Sequence, residues 1–178
     1  PAGIKDETAA AMMLKGMTAW YLCRRTYRVK KGDTIVVHAA AGGVGQILCQ
    51  WANHLGAPVI GTVGNKEKGE IAKAHGCTHT IVTSREDIAK RVRELTAGQG
   101  VPVVYDSVGK DTLQASLDSL QPRGALVSNG TSSGPVVLDT MQLAVKGSIW
   151  ALMPLISPRY LPGSSLASCS CSAGSRFL

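Results

Sequence analysis

No stretch of apolar residues in this chain approaches the length that a bilayer-crossing helix needs, so a helical membrane span is not expected. The first residues, Pro1-Ala2-Gly3-Ile4-Lys5-Asp6-Glu7, lack a basic segment followed by an apolar one, so a secretory signal is not expected in them. They also lack an initiator Met, and the expectation is a chain that begins inside a longer protein. Cys23, Cys49, Cys77, Cys169 and Cys171 form no CxxC pair and no Cys/His set with zinc spacing. Neither a metal site nor a disulfide framework is expected, and reduced thiols in a cytoplasmic protein are the default.

Charge of one sign is not segregated either. The net charge is +7, but basic residues are interleaved with Asp and Glu from position 5 to position 123. The densest basic cluster, Arg24, Arg25, Arg28, Lys30 and Lys31, has the pattern of a solvated helix end. Neither nucleic acid nor a membrane surface is therefore the expected partner. What is present, 178 residues with 44% hydrophobic content, suffices for one α/β core and is too short for two full-sized domains.

Along the chain, helical and strand patterns alternate. Asp6 to Tyr27 has helical spacing, with Gly16 as a possible break, and Thr34 to Ala39 is a short β-branched run of the kind buried on both faces of a parallel sheet. Helices follow over 44–55, 66–75, 85–96 and 111–120. Strands are expected at 58–63, 80–82, 102–106, 125–128 and 147–150, with a turn at Pro122-Arg123-Gly124. Short connections between alternating strands and helices imply parallel strands, right-handed crossovers and a doubly wound, Rossmann-type sheet. The expected division is linker helices over 1–30, the nucleotide-binding domain over 31–153, and an irregular tail over 154–178. Seven serines and no acidic residue lie between Ser157 and Ser175, so that tail has no face to bury and is expected to be disordered or frame-altered.

The segment with the most chemistry is His38-Ala39-Ala40-Ala41-Gly42-Gly43-Val44-Gly45, which begins at the end of an apolar strand and opens a helix. Against G-x-G-x-x-G it supplies Ala40, Gly42 and Gly45. Gly42 lets backbone approach a pyrophosphate, Gly45 lets the helix pack on the strand, and the helix start offers free N–H groups to the anion. The second strand ends in Gly61-Thr62-Val63-Gly64-Asn65-Lys66-Glu67-Lys68. No carboxylate stands where an NAD site would place one for the ribose hydroxyls, and Lys66 and Lys68 suit a 2′-phosphate. Solvated lysines at a helix start are the alternative. Asp106-Ser107-Val108-Gly109 and Ser128-Asn129-Gly130-Thr131-Ser132-Ser133-Gly134 end later strands at the same sheet edge. They are either cofactor contacts or ordinary turns.

These segments, together with Lys15-Gly16-Met17-Thr18-Ala19-Trp20-Tyr21-Leu22 and Val127-Ser128-Asn129-Gly130, resemble the zinc-free quinone oxidoreductases of the medium-chain dehydrogenase/reductase superfamily. The likeness covers residues 1 to about 153. It implies NADPH as hydride donor, a small-molecule quinone or α,β-unsaturated carbonyl as acceptor, no zinc, and a homodimeric or homotetrameric parent. Carried over position by position, Thr18 faces the nicotinamide, Gly42, Gly43 and Val44 hold the pyrophosphate, and Lys68 meets the 2′-phosphate. Ser107, Val108 and Gly109 lie near the adenine ribose, and Ala41 and Gly64 line the cofactor. Two positions depart from the family pattern. Thr83 stands where a Tyr commonly helps bind the 2′-phosphate, and Asn129 stands where Phe is common. Members also begin with a barrel-like catalytic domain that this chain is expected to lack, so the resemblance implies a fragment.

Hydride passes directly between nicotinamide and acceptor in such enzymes, so no catalytic side chain is expected in this segment. An NADP(H)-binding module without catalysis of its own is the rival from another class. A short-chain dehydrogenase is disfavoured because Tyr27 and Lys31, its Tyr-x-x-x-Lys spacing, precede the glycine turn. A methyltransferase would place an acid after the second strand.

Overall fold

The computed structural model describes residues 3–137, 139, 141, 143 and 149–152. Helix α1 (Asp6–Tyr21) runs without interruption through Gly16 and continues as a π-helical segment, Leu22–Thr26. The expected single helix to Tyr27 is thus divided. The amide of Tyr27 and the hydroxyl of Tyr105 both donate to the Leu22 carbonyl, at 3.1 and 3.2 Å, which ends the regular ladder there.

Strand β1 (Ile35–Val37), helix α2 (Gly43–His54), β2 (Val59–Val63), α3 (Lys66–Ala74), β3 (His79–Val82), α4 (Ile88–Leu95), β4 (Val101–Asp106), α5 (Leu113–Ser119), β5 (Leu120–Ser128) and β6 (Ile149–Leu152) complete the described elements. The strands form one sheet in the order β3-β2-β1-β4-β5-β6, and every pairing is parallel. This is the doubly wound order expected from the alternation, and its direction reverses between β1 and β4.

Alternation along each strand sends side chains to two cores. Ile35, Val37, Val59, Val63, Val103 and Tyr105 pack under Leu22, Cys23, Leu48, Cys49 and Ala72 on one face. Val36, Ile60, Ile81, Val104 and Leu126 pack under Val92 and Leu117 on the other. Each fully buried Val or Leu contributes about 1.5–3 kcal/mol of transfer free energy, so both faces hold helices to the sheet.

One expectation is corrected. Pro122-Arg123-Gly124 is not a turn ahead of a short strand but lies inside β5, which starts at Leu120. The register against β4 shifts between Val101 and Val103, and Arg123 takes φ +63°. The irregularity absorbs the Pro within an edge-like stretch, as a bulge does. A Cβ on Gly124 would lie 2.9 Å from the Gln121 carbonyl oxygen and 3.0 Å from that of Val101. The tail expected over 154–178, with Cys169 and Cys171, and residues 147 and 148 of the last expected strand lie outside the described residues.

Candidate nucleotide site at the carboxyl edge

Strand β1 stops one residue before His38, yet the ladder continues through it, with the His38 amide on the Tyr105 carbonyl and the Ala40 amide on that of Thr62, both at 3.0 Å. The chain then reverses. Ala39 adopts φ +50°, a conformation that costs an L residue about 1 kcal/mol, and its carbonyl accepts from Gly42 N at 2.8 Å. A Cβ on Gly45 would stand 2.5 Å from the Ala39 oxygen and 2.8 Å from that of Ala40. Only glycine lets α2 begin this close to the strand.

Helix α2 starts unlike its neighbours. Asn65 and Asp87 cap α3 and α4 by accepting from the amides of Lys68 and Lys90, at 2.9 and 2.8 Å. Gly42 has no side chain with which to cap α2, and the helix has no acidic residue in its first turn. The amides of Gly43, Val44 and Gly45 have no intrahelical acceptor by helix geometry, and the positive end of the dipole is uncompensated. Lys15 of α1 adds to it. Its Nζ and side-chain carbons lie 2.8–3.0 Å from where a Cβ on Gly43 would be. A cation against a helix start is repelled unless an anion joins them. Sequence reasoning missed this residue although Lys15 stands three positions before Thr18. The Thr18 hydroxyl itself donates to the Leu14 carbonyl within α1, at 2.8 Å.

Asp106 ends β4 beside β1. Its carboxylate, 2% exposed, accepts from the amides of Val108 and Gly109, both at 2.9 Å, and so shapes the Ser107–Gly109 turn. The Thr112 hydroxyl also donates to it, at 2.8 Å, and that of Ser116 at 2.7 Å. The Ser116 hydrogen being committed to Asp106, its oxygen accepts from His38 Nε2–H at 2.9 Å, which leaves His38 Nδ1 to accept from Thr62 at 2.9 Å. His38 is therefore neutral and buried. Burial pushes its pKa below the usual histidine value, and the nearby Asp106 charge only partly offsets this. A base held down in the fold gives up stability when the unfolded chain takes the proton. Its contribution is complete above about pH 6.5 and falls as pH drops below that toward the folded value. Thermal unfolding from pH 7.5 to pH 5 should show that extra acid loss in the native chain and not in His38→Gln; parallel profiles would contradict it.

The remaining sequence-predicted positions collect in two places. Ser107 and Asn129 line a small recess under the turn with His38, Val44 and Gly45. The Asn129 amide donates to the Asp106 carbonyl at 2.8 Å, but its side-chain Oδ1 is buried without a partner. A buried carbonyl oxygen left so costs about 1–3 kcal/mol, which a donor on a bound molecule would relieve. Farther along the edge, a Cβ on Gly64 would meet nothing within 4 Å. Beside it the Thr83 and Ser84 hydroxyls donate to the carbonyls of Val63 and Gly64, at 3.3 and 3.2 Å. Lys66 and Lys68 are exposed on the first turn of α3. Ser84 was not foreseen, and its neighbour Thr83 was the only pointer to it. Ala41 closes the turn, its carbonyl accepting from Gln46 Nε2 at 2.6 Å. Among the described residues no group of three or more His, Cys, Asp or Glu could hold a metal ion, and no helix is long and apolar enough to cross a membrane.

The arrangement offers donors and positive charge to a diphosphate, open space and lysines to a further phosphate, and an acceptor to an amide. Known proteins resemble the chain in sequence and fold. The zinc-binding dehydrogenase family model matches residues 43–152. A quinone oxidoreductase of Pseudomonas aeruginosa is 54% identical over 157 residues, covering 88% of this chain and 48% of that protein. A 2-haloacrylate reductase of Burkholderia is 52% identical, covering 86% and 46%. The crystal structure of the Escherichia coli quinone oxidoreductase complexed with NADPH superposes with a TM-score of 0.84 at 48% identity, over 86% of this chain and 48% of that one. The chain thus spans about half the length of the curated relatives it matches. By sequence and by fold it belongs to the zinc-binding dehydrogenase family.

Proposed function

We propose that this chain binds NADPH along the carboxyl edge of its sheet and supplies the nucleotide half of a reductase acting on quinones or α,β-unsaturated carbonyls. The observation that carries this is the uncapped, acid-free start of α2 at the β1/β4 reversal, where a helix N-terminus meets a topological switch point. In this reading the amides of Gly43 and Val44 hold the pyrophosphate, Gly42 and Ala41 let it approach, and Lys15 neutralises it from above. Lys68, beside Gly64 and Thr83, takes the 2′-phosphate. Ser107, Val108 and Gly109 border the adenosine ribose. Asn129 and Thr18 belong to the nicotinamide end, where the unpaired Asn129 Oδ1 accepts from an amide.

NADPH supplies a hydride, and the residues of this chain orient its carrier and keep water from it; none of them needs to move a proton. Two relatives, a quinone oxidoreductase complexed with NADPH and a 2-haloacrylate reductase, support the donor and the activated-alkene class of acceptor. A cytoplasmic, homo-oligomeric whole protein is part of the same reading. The second reading, a binding module without turnover of its own, is favoured for the isolated chain by α1. Met13, Met17 and Trp20 are 62%, 54% and 43% exposed on it, an apolar surface that α2 covers only in part.

Calorimetry with the isolated chain tests the site. NADPH is expected to bind in the micromolar range while NADPH-driven reduction of a model quinone stays near background. Lys68→Ala should weaken NADPH about tenfold and NADH less than twofold, whereas Lys15→Ala should weaken both alike, because the two differ only in the 2′-phosphate and both carry the pyrophosphate. A folded chain that binds neither dinucleotide would overturn the proposal, and equal losses from Lys68→Ala would overturn the phosphate assignment.

A further inference from the structure

Two thiols that the proposed function leaves unused meet behind the glycine turn. Cys49 lies in α2, six residues after Gly43, and Cys77 lies in the turn that enters β3. Both are buried, at 0% and 7% exposure, and their sulfurs are 3.4 Å apart. A disulfide needs about 2.05 Å, so a further approach of about 1.4 Å would join them. The backbone already brings the two elements together. A Cβ on Gly76, whose φ is +100°, would lie 3.2 Å from the Cys49 carbonyl oxygen and 3.1 Å from Asn53 Cβ. Gly76 therefore docks the Cys77 turn directly on α2.

We propose that Cys49 and Cys77 form an oxidisable dithiol, which a hydroperoxide closes into a cross-link between α2 and the turn before β3, weakening the hold on NADPH. In the first step the Cys77 thiolate attacks the peroxide, becoming a sulfenic acid as the O–O bond breaks and hydroxide leaves. Cys49 then gives its proton to that hydroxide, making the first water, and its thiolate attacks the sulfenic sulfur; the hydroxide that leaves takes up the proton that Cys77 gave to solvent in forming its thiolate, making the second water. Two thiols and one hydrogen peroxide yield one disulfide and two waters. Cys77 is the first to react because it is the more exposed and because a hydrogen bond shared with Cys49 favours its thiolate. Burial and the same bond hold Cys49 protonated.

The coupling to the nucleotide is steric. The Cys77 sulfur and Ala40 Cβ lie 2.6 and 2.7 Å from the place a Cβ on Gly61 would take, so glycine at 61 is what lets both fit over β2. Ala40 belongs to the turn on which α2 rests through Gly45, and that contact has no slack. Drawing the sulfurs together displaces Ala40 or tilts α2, and either movement turns the Gly43 and Val44 amides away from the pyrophosphate. This consequence rests on the proposed function; the dithiol does not.

The test compares the reduced chain with one exposed to a small excess of hydrogen peroxide. The expected result is the loss of two hydrogens in mass and a link between tryptic peptides 32–66 and 74–85. NADPH affinity should fall threefold or more, recover with dithiothreitol, and be insensitive to peroxide in Cys77→Ala. Survival of both thiols in the folded, peroxide-treated protein would overturn the proposal, as would a link that leaves NADPH affinity unchanged. A reduced chain that does not bind NADPH would instead overturn the functional reading, and the peptide link would still decide the dithiol.

Discussion

Replacing Gly45 with Ala is expected to cut NADPH affinity by more than thirtyfold and to lower the unfolding midpoint by about 10 °C. The added methyl falls 2.5 Å from the Ala39 carbonyl oxygen and 2.8 Å from that of Ala40, and both are backbone atoms of a turn already carrying a positive φ. Nothing flexible is there to give way, so α2 must lift from β1. Overpacking of this kind costs about 3 kcal/mol at its upper range, and each kcal/mol lowers the midpoint of a domain this size by about 2–4 °C. Binding suffers further, because the amides that face the pyrophosphate belong to the displaced turn. Gly64→Ala is the matched control. A Cβ there meets nothing within 4 Å, so its midpoint should stay within about 2 °C of the native chain, a change under 0.5 kcal/mol. Calorimetric melting and NADPH titration of both variants read the contrast, and a Gly45→Ala protein that melts and binds like the native chain would refute the close-packed turn.

Asp106→Ala should destabilise the fold by about 4 kcal/mol, since removing the acceptor of a buried, hydrogen-bonded charge network leaves buried donors unpaired. Four donors lose this acceptor, the amides of Val108 and Gly109 and the hydroxyls of Thr112 and Ser116, of which Thr112 keeps the Gly109 carbonyl at 3.2 Å as a second one. The loss reaches the site through the Ser107–Gly109 turn. Asp106→Asn should cost about half as much, because its oxygen still accepts the two amides. In that variant the new NH2 donates to Ser116, whose hydroxyl then turns to His38 Nε2. His38 would have to carry its proton on Nδ1 instead and donate to Thr62. Urea unfolding gives the two stabilities, and nitrogen NMR of the imidazole gives the tautomer. An Asp106→Ala chain of native stability, or an unchanged His38 tautomer in Asp106→Asn, would refute the directed network.

How far the site could be read from residues alone depended on sequence distance. The glycine turn is local: an apolar strand, Gly42, Gly43, Gly45 and a helical run follow one another within a dozen positions. The buried chain from Thr62 through His38 and Ser116 to Asp106 joins four strands and helices, and His38 and Ser116 are 78 positions apart. Sequence reasoning left the Asp106 segment open between a cofactor contact and an ordinary turn; its side chain faces inward and builds that turn. Lys15 stood in a quoted segment but was given no role, and Ser84 is part of no motif, because only the packing of α1 on α2 and of the Thr83 turn beside Gly64 brings them to the site. Pro122-Arg123-Gly124 misled in the opposite direction, since Pro and Gly signal a turn locally while pairing with β4 keeps the backbone extended.

What the order of residues settled unaided was the alternation of short apolar strands with amphipathic helices, and with it a parallel sheet whose glycine turn opens α2. Those features follow from local conformational preference and from burial on two faces, which spacing along the chain reveals. The tertiary structure alone decided which groups meet across it: Lys15 over Gly43, Asp106 under the Ser107 turn, Cys49 against Cys77, and Asn129 with an unpaired oxygen. Such contacts depend on how closely packed elements approach one another, a distance set by all the side chains between them and encoded by no single stretch.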